Sequence, residues 1–578
     1  MLRTDEPIVD KSTLLVFQLQ HRAKLGDRQS LTFGGDILRT RPKTEGTISG
    51  RYEDRDDINE FGIYLQSETA INEYVDLVLA GRYDDHNHVK DSVFSPRAAI
   101  VLKPQEDQTF RATYNRAFST PSSNNLFLDV RNRIDAFGIG SSFEPALGYS
   151  PAIDVRVLGL LDGFTFARDA SGLPVYHSPF APVAGLPTST AIELHDPVFT
   201  NVQWGVARGA VLNVFLPTFR PAAVGALTLQ GIGAGLSNDV AALQAEAGAD
   251  LLLDAFTAFI PAQLGGLQNS LATLNLETSG FDPIAVNANA VTDIVGIDPT
   301  ITETFEVGYK GVVNNNLILS LDVYRTKTKD FVGPLRIETP NVFLDPTSLT
   351  SALGAAFTAG LADPNNAQLA GALLLLDDPS QGGNGNGSSV DELVGLFVSG
   401  TANNGAAFIP FGTITPEQAE DPSAVTLSYR NFGQTTHWGI DAAFAYYASN
   451  GWKLDGNYSF VSDDLFENLD NIADIALNAP KHKFNVGIGY QHARSGFSFS
   501  GRFRYRDSFP MDSGVYVGTV KSLSAFDATV QYKLPITDTR YAATLTVGAS
   551  NLTDNKVQEF IGAPAVGRLI TSGVVINF

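Results

Sequence analysis

Apolar and polar residues alternate along much of the chain in short segments, most clearly at 496–507, GFSFSGRFRYRD. Successive side chains of a β-strand point to opposite faces of a sheet. One face of this segment would therefore carry Phe497, Phe499, Phe503 and Tyr505, and the other Ser498, Ser500, Arg502, Arg504 and Arg506. The same period of two recurs at 452–460, 483–490, 526–534 and 541–550. The pattern predicts β-strands that each have one apolar and one polar face.

About fifteen such strands can be assigned along the chain. They are 12–22, 29–39, 60–69, 74–84, 93–103, 108–117, 302–311, 316–328, 435–447, 452–462, 481–492, 496–507, 523–534, 541–552 and 568–578. The connections between them alternate: those at 23–28, 70–73, 104–107, 312–315, 448–451, 493–495 and 535–540 are short, and the others are longer. Short periplasmic turns alternating with longer extracellular loops are typical of outer-membrane barrels. We therefore expect an all-β fold, a transmembrane antiparallel β-barrel with long extracellular loops that contain short helices.

Two of the long connections are large inserts, at 118–301 and 329–434, within one barrel domain that spans 1–578. The segment 238–260 predicts a helix capped by Asn238, and 347–377 has a second Ala/Leu-rich helical pattern. Residues 118–300 include 16 acidic and 6 basic side chains, a net charge of −10. Acidic loops attract cations, although solvation and repulsion between neighbouring proteins are the favoured explanation of such charge. We expect the helices to pack on the loops rather than bind ligand.

Composition narrows the possible functions. The formal charge of −22 argues against nucleic acid as a partner, because its phosphates would be repelled. The chain has no cysteine, which excludes thiolate metal sites, disulfides and a cysteine nucleophile. The uncharged runs 221–238 and 255–276 contain proline, glutamine, glycine and asparagine, so neither is a convincing membrane helix. The first residues, MLRTDEPIVDK, show no apolar signal region.

The strand count suggests that this barrel is incomplete. The first and last assigned strands run in the same direction, so an antiparallel barrel would need an odd number of further strands to close. Large plugged transporters have about 22 strands, and fifteen of these would leave seven, which is odd. An open sheet would also leave two unpaired edges in lipid. We therefore expect an N-terminally truncated chain from a 22-stranded barrel.

Several stretches, taken together and in order, resemble the TonB-dependent receptor family. They are FGIYLQ at 61–66, LAGRYD at 79–84, FSPRAAIVLK at 94–103, TFRATYNRAFSTPS at 109–122, ETFEVGYKG at 303–311, WGID at 438–441 and VGASNLTD at 547–554, before a last strand ending on Phe578. The resemblance covers the strands from about residue 29 to 578 and leaves out 123–300 and 332–423. It implies an outer-membrane transporter of a Gram-negative-type bacterium.

The same resemblance implies parts and partners that this sequence does not itself contain. They are an N-terminal plug, a signal peptide and a segment that contacts the TonB energy-transducing complex. The terminal Phe578 fits the family's assembly signal, which the barrel-assembly machinery reads, and it equally fits an aromatic of the membrane interface. The other implied partners are outer-membrane lipid and a small-molecule nutrient. No cofactor is implied.

Three groups of residues are candidates for a site. By periodicity, Lys483, Arg502, Arg504, Arg506, Asp527 and Lys533 line the lumen, where plug contact and plain solvation fit equally well. Asp84, Asp85, His86 and His88 have ligand types that suit a divalent cation, although surface loops contain such clusters by chance. The run GGNGNG at 382–387 is expected to be a flexible loop. There is no HExxH, P-loop or GxSxG motif, so nothing supports an enzyme.

The sequence thus predicts an importer of a scarce nutrient, driven through TonB. A ferric siderophore or a cobalamin-like chelate is the leading ligand class and an oligosaccharide the next. The alternative is a passive porin, which needs no plug. A soluble β-rich adhesin would need polar residues on both faces of many strands, which the apolar stripes argue against.

Overall fold

The computed structural model describes residues 7–276, 278–381, 383–400, 404–469, 473–492, 494–512, 516–536, 540 and 542–578. Its main feature is one fifteen-stranded sheet in which the strands follow each other in chain order. The predicted connections 463–480, 493–495, 508–522 and 535–540, the strand position 541 and position 382 of the glycine-rich run fall partly or wholly outside the described residues.

We number the strands of this sheet β1 to β15. They are β1 Thr13–Leu25, β2 Gln29–Arg41, β3 Ile58–Ala70, β4 Val75–His86, β5 Val93–Gln105, β6 Gln108–Ser119, β7 Thr300–Val313, β8 Leu317–Val332, β9 Asn431–Tyr447, β10 Trp452–Val461, β11 His482–Gln491, β12 Phe497–Arg506, β13 Leu523–Lys533, β14 Ala542–Ser550 and β15 Leu569–Asn577. Every neighbouring pair is antiparallel. The fifteen predicted strands and their antiparallel arrangement are confirmed.

The two faces of the sheet also follow the predicted alternation. Arg502 on β12 lies opposite Gly487 on β11 and Asp527 on β13, all at polar positions. On the other face Phe503 lies opposite Val486 and Phe526. Large apolar side chains of this second face are exposed in strand after strand, at positions such as Phe61, Ile63, Leu79, Phe305, Val307, Leu321, Val486, Val530, Leu545 and Val547. An apolar surface of this extent suits lipid rather than water.

The connections lie at two ends of the sheet and differ in size. Turns such as 26–28, 71–74, 314–316 and 448–451 join strands at one end. At the other end, 120–299 between β6 and β7 forms the first insert, and 333–430 between β8 and β9 forms the second. Smaller hairpins at this end pair Leu465–Leu469 with Ala473–Ala476 and Phe509–Asp512 with Val517–Val520.

The inserts contain the helices. They are α1 Ser123–Phe127, α2 Ile139–Leu147, α3 Pro197–Gly233, α4 Asn238–Phe259, α5 Pro346–Leu361, α6 Ala367–Leu373 and α7 Val390–Val398. Short 3₁₀ segments lie at Gly50–Tyr52, Ala181–Ala184, Pro364–Asn366, Leu374–Asp377, Pro379–Gln381 and Ala406–Phe408. The predicted helix 238–260 corresponds to α4. The predicted pattern at 347–377 corresponds to α5 and α6 with the 3₁₀ segments around them.

The two inserts fold together rather than as separate loops. Val425–Ser428 of the second insert pairs in parallel with Val155–Leu158 of the first. Asn341–Leu344 pairs with Asn269–Leu274 across the same boundary. One apolar core contains side chains from both, including Trp204, Phe256, Phe357, Phe397 and Phe411. The remaining insert strands are Asp129–Arg133, Val175–Tyr176, Ile192–Glu193, Phe281–Ile284, Arg336–Ile337 and Gly412–Thr413.

Helix α3 differs from the expectation of short helices, because it is 37 residues long. By length and composition it could cross a membrane: an 18-residue window has a mean hydropathy of 1.4, and 17% of that window is buried. Residues 221–238 were not expected to form a membrane helix, and the first part of that run, 221–233, is the C-terminal end of α3. The N-terminal half of α3 packs in the insert core through Phe199, Trp204 and Leu212. Packing in a protein core accounts for apolar composition there as well as a membrane would.

Candidate functional site

The polar face of the sheet brings together the six charged residues that periodicity singled out. Arg502, Arg504 and Arg506 alternate along β12, Lys483 lies opposite Arg506 on β11, and Asp527 lies opposite Arg502 on β13. Lys533 continues the same face of β13 toward the short turns. The predicted grouping on one face therefore matches the structure. That this face lines a lumen remains part of the proposal below.

Arg504 and Asp527 form a two-point ion pair. The Nε and Nη2 atoms of Arg504 donate to the two carboxylate oxygens of Asp527, at 2.6 and 3.0 Å. Asp527 also accepts from the backbone N of Asn551 at 2.8 Å and the hydroxyl of Ser550 at 3.2 Å. Charge-assisted bidentate pairs of this kind fix side-chain direction as well as adding energy. The pair ties β12 and β13 to the end of β14.

The other arginines of β12 have partners of different kinds. Arg502 donates to Asp455 at 2.7 Å, and Lys453 lies 3.2 Å from the other oxygen of that carboxylate. Arg506 reaches the loop before β15, where its Nη2 lies 3.3 Å from Glu559 and donates to the carbonyl of Gln558 at 3.1 Å. On this polar face, positive side chains are therefore paired with negative ones, and the face does not carry charges of a single sign.

Two further ion-pair groups on this face were not singled out from the sequence. Arg82 on β4 lies between Asp36, at 2.8 Å, and Asp84, at 2.6 Å. Arg111 on β6 lies 2.6 Å from Glu306 and 2.9 Å from Asp322. These side chains occupy the polar positions of their strands, so the alternation would have placed them on this face. The alternation would not have shown which of these side chains form ion pairs with each other.

The structure does not assemble the candidate metal cluster. Asp84 is bound to Arg82, and Asp85, on the opposite face of the strand, accepts from the hydroxyl of Ser92 at 2.8 Å. His86 Nδ1 accepts from the backbone N of His88, at 3.1 Å. His88 Nε2 lies 2.8 Å from the carbonyl of Asp57. Because adjacent strand residues face opposite ways, Asp85 lies on the other face of β4 from Asp84 and His86, and no group of three metal-ligating side chains occurs in the part of the chain that the structure describes.

A polar groove of about 780 Å³ lies near the short turns, next to the charged face. Lys453, Ser498, Ser500, Thr529 and Gln531 contribute its polar lining. A smaller recess of about 290 Å³ continues it toward Asp455, Arg502 and Asp527. Together they form a hydrogen-bonding surface along four adjacent strands.

Phe578 lies one residue beyond β15 and its side chain is 96% exposed. Its position in the strand alternation is the one shared by Ile570, Val574 and Ile576. Its role as an assembly signal stays a prediction.

The comparison with protein families gives one match. The family model described as "TonB dependent receptor-like, beta-barrel" matches residues 3–151 and 257–552. The unmatched stretch between them contains most of the first insert, including α3. No curated protein sequence matches the chain significantly.

Three solved structures illustrate what this chain is similar to. They are the siderophore receptor PirA from Acinetobacter baumannii (11% identity, TM-score 0.45), a mutant ferric enterobactin receptor PfeA from Pseudomonas aeruginosa (11%, 0.45) and the F3-3 variant of the FrpB iron transporter from Neisseria meningitidis (10%, 0.43). Each alignment covers 98% of this chain, and 54%, 54% and 55% of the respective structure. The chain therefore spans about half the length of these proteins.

Proposed function

Because this chain belongs to the TonB-dependent receptor-like β-barrel family, an outer-membrane family, we propose that it forms the wall and ligand-facing loops of an active nutrient importer. In this proposal the inserts capture the ligand at the outer surface. A plug domain then rearranges inside the barrel, with energy delivered through the TonB complex. The observation that carries the proposal is the family match, which includes strands β1 to β14 of the sheet.

The polar face supports a plugged barrel in a second way. We propose that Lys483, Arg502, Arg504, Arg506, Asp527 and Lys533 line the lumen and face the plug. The pairing of Arg504 with Asp527 and of Arg502 with Asp455 leaves a surface of fixed donors and acceptors. Such a surface can form hydrogen bonds with a plug, and the plug would not need a large opposite net charge to bind it.

The ligand class is a finer proposal. A ferric siderophore or a cobalamin-like chelate is the leading candidate and an oligosaccharide the next. Residues 118–300, which include the first insert, bear a net negative charge. This charge disfavours binding of a polyanion that lacks its own counter-charge. Apart from that charge, the ligand class depends on the family alone.

The alternative function is a passive porin, in which solutes diffuse through an open lumen. The two functions differ in their energy source, because diffusion runs down a gradient and needs neither TonB nor a proton-motive force. The test is uptake of labelled ferric siderophores, cobalamin and oligosaccharides by cells that carry the complete gene containing this chain. Parallel cells would lack TonB or receive a protonophore.

We expect uptake of one ligand to depend on the gene and to fall to the background of gene-less cells when TonB is deleted. Gene-dependent uptake that is unchanged without TonB would contradict active import and favour the porin. A cell with TonB but without the gene controls for other receptors.

A further inference from the structure

The two inserts form an apolar groove of about 790 Å³, and none of the residues that line it belongs to the fifteen-stranded sheet. We call it the insert groove. Its walls come from α2 and the residues before it, from positions 205–214 of α3, from Phe281, and from residues 404–410 of the second insert. Both inserts are therefore needed to form it.

Two glycines on α3 keep the groove open. Gly205 and Gly209 lie one helical turn apart, on the same side of the helix. A Cβ atom built at either position would meet no heavy atom within 4 Å. Glycine in a helix interior costs about 0.5–1 kcal/mol relative to alanine. No close backbone contact around Gly205 and Gly209 requires a glycine. The effect of having no side chain at these positions is that the groove in front of them stays unfilled.

The walls of the groove are apolar and well packed. Phe143, Val206 and Ile409 are buried within them. The ring of Phe137 packs on that of Phe281, with centroids 5.1 Å apart. At the rim, Val214 is 55% exposed, so apolar surface continues outward to solvent. An open, aromatic-lined recess of this size falls in the range of small-molecule sites, about 300–1,000 Å³.

No charged side chain lines the groove within the described residues. Its polar side chains are Ser142, Asn213, Ser279 and Asn404, and the hydroxyl of Ser142 already donates to the carbonyl of Gly138 at 2.6 Å. The surrounding insert, by contrast, has a net charge of −10 over 118–300. A charged ligand would lose its hydration here and find no opposite charge among the described lining residues, which is costly.

From this geometry we propose that the insert groove binds a small uncharged apolar molecule. Burial of apolar ligand surface against the phenylalanine and valine walls would supply the binding energy. The inference does not rest on the proposed import: the groove would bind such a molecule whether or not the barrel transports it.

Two fluorescent probes that share the same ring skeleton but differ in charge test this proposal. N-phenyl-1-naphthylamine is uncharged, and 8-anilino-1-naphthalenesulfonate adds one negative charge to the same rings. Each would be titrated into the full chain in lipid nanodiscs, with empty nanodiscs as the background for partition into lipid. We expect saturable binding of the uncharged probe, at least about tenfold tighter than binding of the sulfonate.

Variants locate the binding. The double substitution Gly205→Leu and Gly209→Leu fills the groove without a backbone clash and favours the helix. It should weaken binding of the uncharged probe by at least about tenfold. Gly225→Leu on the same helix is the matched control, because its Cβ also meets open space and it lies outside the groove. Equal binding by the double variant and the wild type, or equally tight binding of the sulfonate by the wild type, would overturn the proposal.

Discussion

At the scale of single residues, strand parity predicted the face of each side chain but not its partner. Arg502 and Arg504 fall on the polar face because of their neighbours in one short segment. Their partners depend on the register of the sheet: Asp455 is 47 residues from Arg502, and Asp527 is 23 from Arg504. The weak metal candidate illustrates the same point, since Asp84 and Asp85 are neighbours in the sequence but lie on opposite faces of β4.

The Arg504–Asp527 pair gives the first prediction. Both side chains are partly exposed, so solvent weakens the attraction and the coupling should be modest, about 1 kcal/mol. It would be measured as a double-mutant cycle with Arg504→Leu and Asp527→Asn, from urea unfolding in lipid vesicles followed by tryptophan fluorescence. Lys533→Leu, on the same face and exposed, should change stability by less than about 0.5 kcal/mol. A coupling of zero would mean that the pair does not hold β12 to β13.

His177 gives a prediction about pH. Its backbone N donates to the carbonyl of Thr413 and its Nδ1 lies 3.0 Å from Thr415 Oγ1, so it joins the first insert to the second. Burial lowers the pKa of His177 from its ordinary value of 6.5. The unfolded inserts therefore bind the proton more readily, and stability is lost as pH falls from 6.5 toward the lowered pKa.

We expect amide exchange in the segment 411–415, corrected for intrinsic rates, to speed up on acidification from pH 7.5 to pH 5. In His177→Asn, which keeps a side-chain donor but does not titrate, this acceleration should be smaller. The same pH dependence in both proteins would show that His177 is not the group responsible.

At the scale of elements, the sheet was predictable and the inserts only in part. Helix α4 follows an Ala/Leu-rich run without proline, and its bounds match the prediction within one residue. The predicted cap was wrong by one position, because Ser237 is the N-cap residue and Asn238 is the first residue of the helix. Helix α3 runs through Pro217 and Pro221, which local rules treat as interruptions. Its N-terminal half is held by the insert core, and tertiary packing of this kind overrides propensity. The parallel pairing of Val155–Leu158 with Val425–Ser428 joins segments 270 residues apart, which no local pattern reveals.

Because the two inserts share a core, we expect deletion of one insert to impair assembly more than deletion of both. Ser119 pairs with Thr300 and Val332 with Asn431, so either insert can be replaced by a short Gly/Ser loop at closely spaced strand ends. Deleting 120–299 alone would uncover apolar side chains of the second insert that are buried against the first, including Phe411. We expect less protein in the outer membrane, and faster proteolysis, than when 333–430 is deleted as well. Equal assembly of the single and double deletions would show that the inserts fold independently.

At the scale of the whole molecule, one physical rule accounts for the architecture. In hydrocarbon every backbone group must be paired, which strands achieve by forming a continuous sheet, and each strand then turns one face to lipid. The repeated alternation predicted this arrangement because it needs only a period of two. The ligand stays outside what the sequence could predict, since it depends on the shape of the inserts.

In the proposed barrel, the sheet turns its apolar face to lipid and its polar face to an aqueous lumen. Because the chain has no cysteine, single cysteines can be placed one at a time from Phe497 to Arg506 on β12 and labelled with a fluorophore. In lipid vesicles, quenching by brominated acyl chains should be strong at 497, 499, 503 and 505. Quenching by aqueous iodide should be strong at 498, 500, 502 and 504, giving two profiles of period two in opposite phase. Absence of lipid quenching at the phenylalanine positions would place them in a protein core and contradict the membrane barrel.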